Sequence, residues 1–327
     1  MAVAQAGSLL PQSRVISTWF RNLALFTALA AFALVVLGGV VRVTGSGLGC
    51  PDWPLCHGGI FPPLETEAII EYSHRLVASV LVGPLILALC AAAWIFHRSH
   101  GWLLGATTLA LALTLVQAVL GGATVVNELP AGAVFAHLAL GEALLGCMVF
   151  ILVTAYAGPP TLGSAEIRRG GGGAFPMLAV ASAVAVYGIL LTGSYVTVSN
   201  ATWVCTDWPL CNGDVFPSHK LTAIHMAHRL ATLILGLFVM YVLHLGLRRG
   251  RQPMDVRLLS MAAAALFAAQ VIAGALTIWL SFPEGIRALH LALGTAVWAA
   301  MAGLAALSLA PGDRTAQSQT AREPANA

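Results

Sequence analysis

Charge is what this chain has least of. Acidic and basic side chains make up 9% of its 327 residues and 58% are hydrophobic, whereas roughly a quarter of a typical soluble domain is charged. That scarcity excludes an ordinary soluble domain and points to a polytopic membrane protein. The net charge of +3 follows from where arginines flank the membrane, and it implies no nucleic-acid partner. A cleavable leader is also excluded, because the first apolar stretch is long, has no small-residue cleavage pattern and belongs to an internal repeat. Cysteine is sparse: of six, four form two matched pairs. Cys90 and Cys147 sit alone in apolar segments and read as core residues.

Eight apolar stretches, at 23–41, 69–96, 102–126, 134–156, 175–198, 221–247, 258–280 and 286–309, can each cross about 30 Å of hydrocarbon at about 1.5 Å per residue. The expected fold is an all-α integral membrane protein with eight transmembrane helices. With the N-terminus inside, the inner segments carry Arg14, Arg21, Arg98, Arg168, Arg169, Arg248, Arg249, Arg251, Arg257, Arg314 and Arg322. The outer segments carry only Arg42, Lys220 and Arg287. This bias places both termini in the cytoplasm of the cell (inner) membrane. The stretch 158–174, with Pro159, Pro160 and four consecutive glycines, reads as a flexible cytoplasmic linker, and the polar tail 311–327 as disordered.

The chain repeats itself. Asp52-Trp53-Pro54-Leu55-Cys56 returns as Asp207-Trp208-Pro209-Leu210-Cys211, His74-Arg75 as His228-Arg229, and His137-Leu138-Ala139-Leu140-Gly141 as His290-Leu291-Ala292-Leu293-Gly294, at offsets of 155, 154 and 153 residues. Such regular spacing marks two copies of one unit. Each copy holds four apolar stretches, an even number, so the copies insert in the same sense as a parallel repeat. The division expected is a bundle over 1–157, the linker 158–174, a second bundle over 175–310 and the tail 311–327, with pseudo-two-fold symmetry between the bundles.

Each copy carries a Cys-x5-Cys pair, Cys50 with Cys56 and Cys205 with Cys211, in the outer loop after its first helix. That compartment is oxidising, so two intra-loop disulfides are expected. A structural zinc site is the competing reading, though no histidine doublet accompanies either pair. The bridges either staple a surface loop or cover a site with a redox-active dithiol, and sequence does not separate the two.

The histidines carry the chemistry. His74 and His137 lie about five residues inside the outer ends of the second and fourth stretches, and His228 and His290 occupy the matching places in the sixth and eighth. Two imidazoles at equal depth on helices of one bundle can grip a six-coordinate heme iron from opposite sides. Zinc or copper would call for further clustered ligands, and the first and third helices of each half offer none. Arg75 and Arg229 are candidate propionate contacts; the alternative is interfacial anchoring. Gln117 and Gln270 read as interhelical hydrogen-bonding groups, and Gly38-Gly39 and Gly121-Gly122 as close-packing sites. His97, His100, His219 and His244, near helix ends, read as solvated.

The copies differ where carboxyls stand. Glu71 shares a helix face with His74, and the second copy has His225 there; Glu142 follows His137 where the second copy has Thr295. Intramembrane carboxyls are costly and usually functional or neutralised. Two beside the first histidine pair and none beside the second suggest chemistry in the first half and electron handling in the second.

At these residues the chain resembles the heme A synthase family. The resemblance covers nearly the whole chain. It rests on Thr44-Gly45-Ser46-Gly47 leading into the Cys50 to Cys56 loop, on Ile70-Glu71-Tyr72-Ser73-His74-Arg75, on His137 with Gly141, on Thr192-Gly193-Ser194-Tyr195, on the Cys205 to Cys211 loop and on Met226-Ala227-His228-Arg229. It implies two four-helix bundles and two successive oxidations of the C8 methyl of heme O to the formyl of heme A, for assembly into cytochrome oxidase. It further implies a heme b on His228 and His290, substrate heme on His74 and His137, and Glu71 as the essential acid. Implied partners are the farnesyltransferase that makes heme O and an electron donor. His225 stands where an uncharged residue is usual in the family, and Glu142 is no part of its pattern. The alternative function is a bis-heme electron carrier or quinol-oxidising cytochrome b, with a heme transporter as a third.

Overall fold

The computed structural model describes residues 16–159, 174–248 and 252–311. Most of the expected linker 158–174 and tail 311–327 lies outside these residues, as do Arg14, Arg168, Arg169, Arg249, Arg251, Arg314 and Arg322. Eight helices are long and apolar enough to cross a membrane: α1 Thr18–Val43, α2 Thr66–Phe96, α3 Gly101–Val126, α4 Ala131–Ala157, α5 Phe175–Val198, α6 Lys220–Leu247, α7 Met254–Trp279 and α8 Glu284–Leu309. Among the described residues the only β pairing is two isolated bridges, Cys56 with Gly59 and Cys211 with Asp214. The protein is an all-α, multi-pass membrane protein. Leu25, Phe26, Leu29, Leu115, Val119, Leu233, Ile234 and Leu237 stand exposed on these helices, an arrangement stable in lipid and costly in water.

Each helix falls on an apolar stretch, and the clearest early starts are those of α1 at Thr18, α7 at Met254 and α2 at Thr66, where the expected stretches begin at 23, 258 and 69. The α3–α4 and α7–α8 hairpins close in the same way. Glu128 and Leu129, like Ser281 and Phe282, take left-handed φ values of 57°, 59°, 63° and 62°. Leu129 N–H then bonds Thr124 O at 2.7 Å, and Phe282 N–H bonds Thr277 O at 2.7 Å. These reach-back bonds satisfy carbonyls stranded at the helix ends, and Pro130 and Pro283 start the next helices. One departure from helical regularity separates the halves: α2 widens into a π-helical segment at Val77–Val82, where Gly83 N–H reaches Ala78 O. Pro84 has no N–H to offer one turn back, and the wider turn accommodates that loss. Phe238 takes its place in α6, which is continuous.

Packing links the helices as two closed rings. α1 and α3 each touch α2 and α4, α5 and α7 each touch α6 and α8, and the rings meet where α4 lies on α8, α1 on α8 and α4 on α5. The dense apolar cores occupy one end of each ring. One is built on Phe20, Ile86, Leu103, Leu145 and Ile151, the other on Phe175, Leu243, Val256, Met301 and Leu304. All of these lie in the helix halves remote from the Cys loops. The loop-side halves, which hold the four histidines, are instead packed with glycine and polar side chains.

The seam between the rings is tight and hydrogen-bonded. Tyr187 donates its hydroxyl to Ala139 O at 2.8 Å, Trp298 Nε1 donates to Glu142 O at 2.8 Å, and Thr295 Oγ1 donates to Glu142 Oε1 at 2.7 Å. Gly146 on α4 admits the Trp298 ring: a Cβ there would sit 2.6 Å from Trp298 Cζ2. Without a hydrophobic force between helices in lipid, such close fits do the holding. Gly146→Ala should therefore destabilise the protein by about 1–3 kcal/mol, seen as a lower temperature for loss of helical circular dichroism in detergent. Adding Trp298→Ala should remove the extra penalty of the alanine; equal penalties with and without the indole would refute this account of the seam.

Candidate functional site

Both Cys loops are closed by disulfides, Cys50–Cys56 and Cys205–Cys211, as the sequence leads one to expect. Each is pinned by its own side chains. Asp52 accepts the N–H of His57 at 2.6 Å and of Gly58 at 2.7 Å, and His57 Nε2 bonds Gly49 O at 2.9 Å. In the second loop Asn212 takes the place of His57, reaching Val204 O at 3.0 Å and Thr206 N–H at 3.1 Å. The residues differ, yet each bonds the carbonyl just before the first cysteine of its loop.

The arginines beside the histidines close the loops from below. Arg75 donates to Asp52 O at 2.7 Å, Leu55 O at 2.9 Å and Cys50 O at 2.6 Å, and pairs with the Glu71 carboxylate. Arg229 donates to Asp207 O at 2.7 Å, Pro209 O at 3.2 Å and Leu210 O at 2.5 Å. The terminal N–H groups of both arginines are thus engaged by loop carbonyls, while Arg229 Nε is buried without a partner.

Glu71 is 4% exposed. Its Oε2 accepts Cys50 N–H at 2.8 Å while Oε1 takes Arg75. His225 stands in for it in the second half: Nδ1–H donates to Ala201 O at 2.9 Å, and Nε2 faces Arg229 one turn along the same helix at 3.5 Å.

Each of the four histidines packs against a glycine of the preceding helix. A Cβ on Gly38 would lie 3.0 Å from His74 Cε1, on Gly121 3.3 Å from His137 Cε1, on Gly193 3.0 Å from His228 Cε1 and on Gly274 2.9 Å from His290 Cε1. His74 and His137 lie on α2 and α4 of the first ring, and His228 and His290 on α6 and α8 of the second. Gly193 entered the sequence reading only within the Thr192-Gly193-Ser194-Tyr195 motif, and Gly274 was not singled out. Aligning the glycines by the repeat offset, as was done for histidine and cysteine, would have found them.

The pairs differ in how their second nitrogens are held. Thr192 Oγ1 donates to Ile189 O at 2.6 Å and therefore accepts from His228 Nδ1–H at 2.8 Å; His290 Nδ1–H donates to Gln270 O at 3.1 Å. Both leave Nε2 as the lone-pair atom, the arrangement that ligating histidines take from their hydrogen-bonded neighbours. Gln270 Nε2 is 3.5 Å from His290 Nε2, too long and weak to hold that nitrogen. In the first pair, His74 Nδ1 and His137 Nδ1 are buried without a hydrogen-bond partner; His74 meets only the Leu34 carbonyl, outside bonding geometry. Leu37 occupies the place of Thr192, and Gln117 Nε2 donates to the His137 backbone O at 2.8 Å instead of serving the ring. The interhelical role expected of Gln117 holds, whereas Gln270 takes part through its backbone carbonyl and its Oε1 is buried without a partner.

A heme fits these residues. Each pair supplies two nitrogen donors on facing helices, the opposing glycines keep the imidazole edges close to backbone, and among the described residues no third His, Cys, Asp or Glu joins either pair. A cleft of about 270 Å³, lined by Phe135, Leu191, Thr192, Tyr195, Ile224 and Ala227, ends on His228.

Glu142 is hydrogen-bonded between helices, its carboxyl and backbone turned into the α4–α8 seam toward Thr295 and Trp298, and one expectation is corrected. His97 is 5% exposed, bonded to Ser17 Oγ at 3.2 Å and edge-on to Phe20. It is not solvated, and burial, then the neighbouring His100, lower its pKa. Cys90 and Cys147 are free thiols in the helix interior, as expected.

Fold and site together define a polytopic membrane protein with two histidine pairs under disulfide-closed loops. The sequence profile of the cytochrome oxidase assembly protein family matches residues 21–69 and 64–302. The heme A synthase of Alkalihalophilus pseudofirmus is 30% identical over 252 residues, covering 76% of this chain and 83% of its own length. That of an Exiguobacterium species is 31% identical over 228 residues, 67% of this chain and 71% of its own. That of Bacillus cereus is 27% identical over 278 residues, 82% and 86%. The chain belongs to the cytochrome oxidase assembly protein family.

The loops also make a pH prediction. The N–H groups of Gly58 and His57 hold the Asp52 carboxyl below its usual 3.8. Its contribution to closing the first loop is thus complete above about pH 4 and lost as pH falls through the lowered value. The second loop is closed by the uncharged Asn212. Between pH 7 and pH 3, reduction of Cys50–Cys56 by a water-soluble phosphine should accelerate relative to that of Cys205–Cys211 in the same molecule. In Asp52→Asn the ratio should start high and stay flat; a flat ratio in the wild-type protein counts against the role given to Asp52.

Proposed function

We propose that this protein is a heme A synthase, an oxidoreductase that converts the C8 methyl of heme O to the formyl of heme A in two oxidations. The observation that carries this reading is the contrast between the histidine pairs. His228 and His290, with Nδ1 fixed by Thr192 and Gln270, suit a resident group and are assigned to heme b. His74 and His137, whose Nδ1 atoms have no such partners, suit a heme that must arrive and leave and are assigned to heme O. On this reading residues 1–157 are the substrate half and 175–310 the heme b half, with the Cys loops on the outer face and both termini in the cytoplasm.

The bound hemes supply the redox chemistry that no side chain can perform; the chain orients, shields and handles protons. The glycines facing the rings hold the imidazoles close to backbone, and the disulfide loops limit water at the loop-side end. Glu71 lies one turn from His74 and keeps lone pairs beyond those used by Cys50 N–H and Arg75. It is the group we assign to take protons released from the substrate. Arg75 holds that carboxylate in place and so acts as a positioning residue. The resemblance further brings in the heme O-producing farnesyltransferase as supplier and an electron carrier as redox partner.

Pigment extracted from the purified protein should chromatograph as heme b together with heme O, a hydroxylated intermediate or heme A. Heme b alone would favour an electron carrier and sink the synthase reading. His228→Ala and His290→Ala should each remove the heme b absorption bands, whereas Glu71→Gln should keep them and accumulate heme O or the alcohol. Normal heme A output from Glu71→Gln would remove Glu71 from the chemistry.

A further inference from the structure

The terminal N–H groups of Arg75 and Arg229 already serve the Cys loops, so other cations can be sought for the acidic edge of a porphyrin. Two other arginines converge at the loop-side end of the seam. Arg42, in the last turn of α1, donates one bond to Thr197 O at 3.2 Å, and its Nε is buried without a partner. Arg287, in the first turns of α8, donates to Val43 O at 2.9 Å, lies 4.8 Å over the Trp203 ring and likewise has a buried Nε without a partner. The carbonyl that Arg287 bonds belongs to Val43, the residue that follows Arg42 in the chain. Among the described residues the one side-chain ion pair is Glu71–Arg75, so no carboxylate neutralises either of them. They are also two of only three basic residues expected on the outer side, where charge bias alone would not put them.

A cavity of about 320 Å³ opens beside Arg42, lined by Leu129, Ala131, Val134, Val198 and Asn200. It borders the first turn of α4, whose N-cap, Pro130, makes no side-chain cap bond. Uncapped first-turn N–H groups add positive potential. Relative to the cleft that ends on His228, the cavity is displaced toward the loops. Val198 is one turn beyond Tyr195 on α5, and Val134 adjoins Phe135, the two cleft residues whose rings meet edge-on at 6.1 Å. A flat ligand in that cleft with acidic groups toward the loops would bring them to this cavity.

We infer that Arg42 and Arg287 form an oxyanion site that binds the propionate carboxylates of the heme held by His228 and His290. The inference rests on the heme b assignment proposed above. Phosphate shares the same chemistry, whether free or on a lipid headgroup. Guanidinium suits all of these through paired, charge-assisted bonds.

The test uses full-length His74→Ala/His137→Ala protein from heme-depleted cells, so that only the second pair is titrated, with helical circular dichroism confirming the fold of every variant. Heme b and its dimethyl ester are titrated by absorbance. The diacid should bind about tenfold tighter than the ester, since one or two charge-assisted bonds are at stake. Arg42→Gln/Arg287→Gln should abolish that preference, and Arg42→Lys/Arg287→Lys should keep part of it. A preference unchanged in the double glutamine variant overturns the inference. Inorganic phosphate and phosphatidylglycerol vesicles supply the other arms. If the glutamine variant loses binding to either while its diacid preference persists, the site takes phosphate and the propionate assignment is wrong. Adding His228→Ala/His290→Ala separates the two readings: heme binding that survives it defeats the heme b assignment itself. Heme binding lost there, with ester discrimination intact in the glutamine variant, defeats only the propionate site.

Discussion

An imidazole on a helix is fixed in direction only if something prevents rotation about its side-chain torsions. In this protein the stop is a neighbouring backbone. Each of the four histidines rests its Cε1 edge where a Cβ of the opposing glycine would be, at 2.9 to 3.3 Å. Close helix approach and ring orientation are therefore one constraint, and alanine at any of these glycines would force a ring to give. The loop-side half of each bundle can hold aligned nitrogen donors because the packing that would fill it has been shifted to the opposite end.

The loops complete the arrangement by tying the surface to the helices beneath it. Arg75 and Arg229 each follow a histidine in sequence and bond the carbonyls of a disulfide loop. Strain on a loop is thereby felt one residue from a candidate iron ligand. The two halves use the same arginine but a different partner, a carboxylate at Glu71 and an imidazole at His225. The same scaffold thus holds a charge-balanced carboxylate–guanidinium pair in one bundle and a guanidinium beside an imidazole in the other, and among the described residues only the first bundle has a π-helical widening just beyond its histidine.

Much of this was legible in the sequence. Hydropathy located all eight helices, because a lipid-spanning helix needs a long apolar run and little else does. The repeat picked out the histidines, and the spacing of the cysteines predicted their bridges. Side-chain direction was not legible. Glu142 and His97 looked like a site acid and a solvated group, and only packing turns the first toward Thr295 and buries the second against Phe20. The loop contacts of Arg75 and Arg229 were hidden for a related reason: their targets are backbone carbonyls, which leave no trace in residue identity. Thr192 and Gln270 became informative only when their hydrogen bonds were seen.

The position of the apolar cores has an electrical consequence. Both lie in the helix halves remote from the Cys loops, and the histidine pairs lie in the other halves. A plug of tightly packed hydrocarbon side chains is a poor conductor of protons and leaves no room for a water file. On the proposed function, protons released at the histidine pairs would leave on the loop side and cross only the part of the membrane between the pairs and the loops, so an applied transmembrane voltage would act on that step only in proportion to that part.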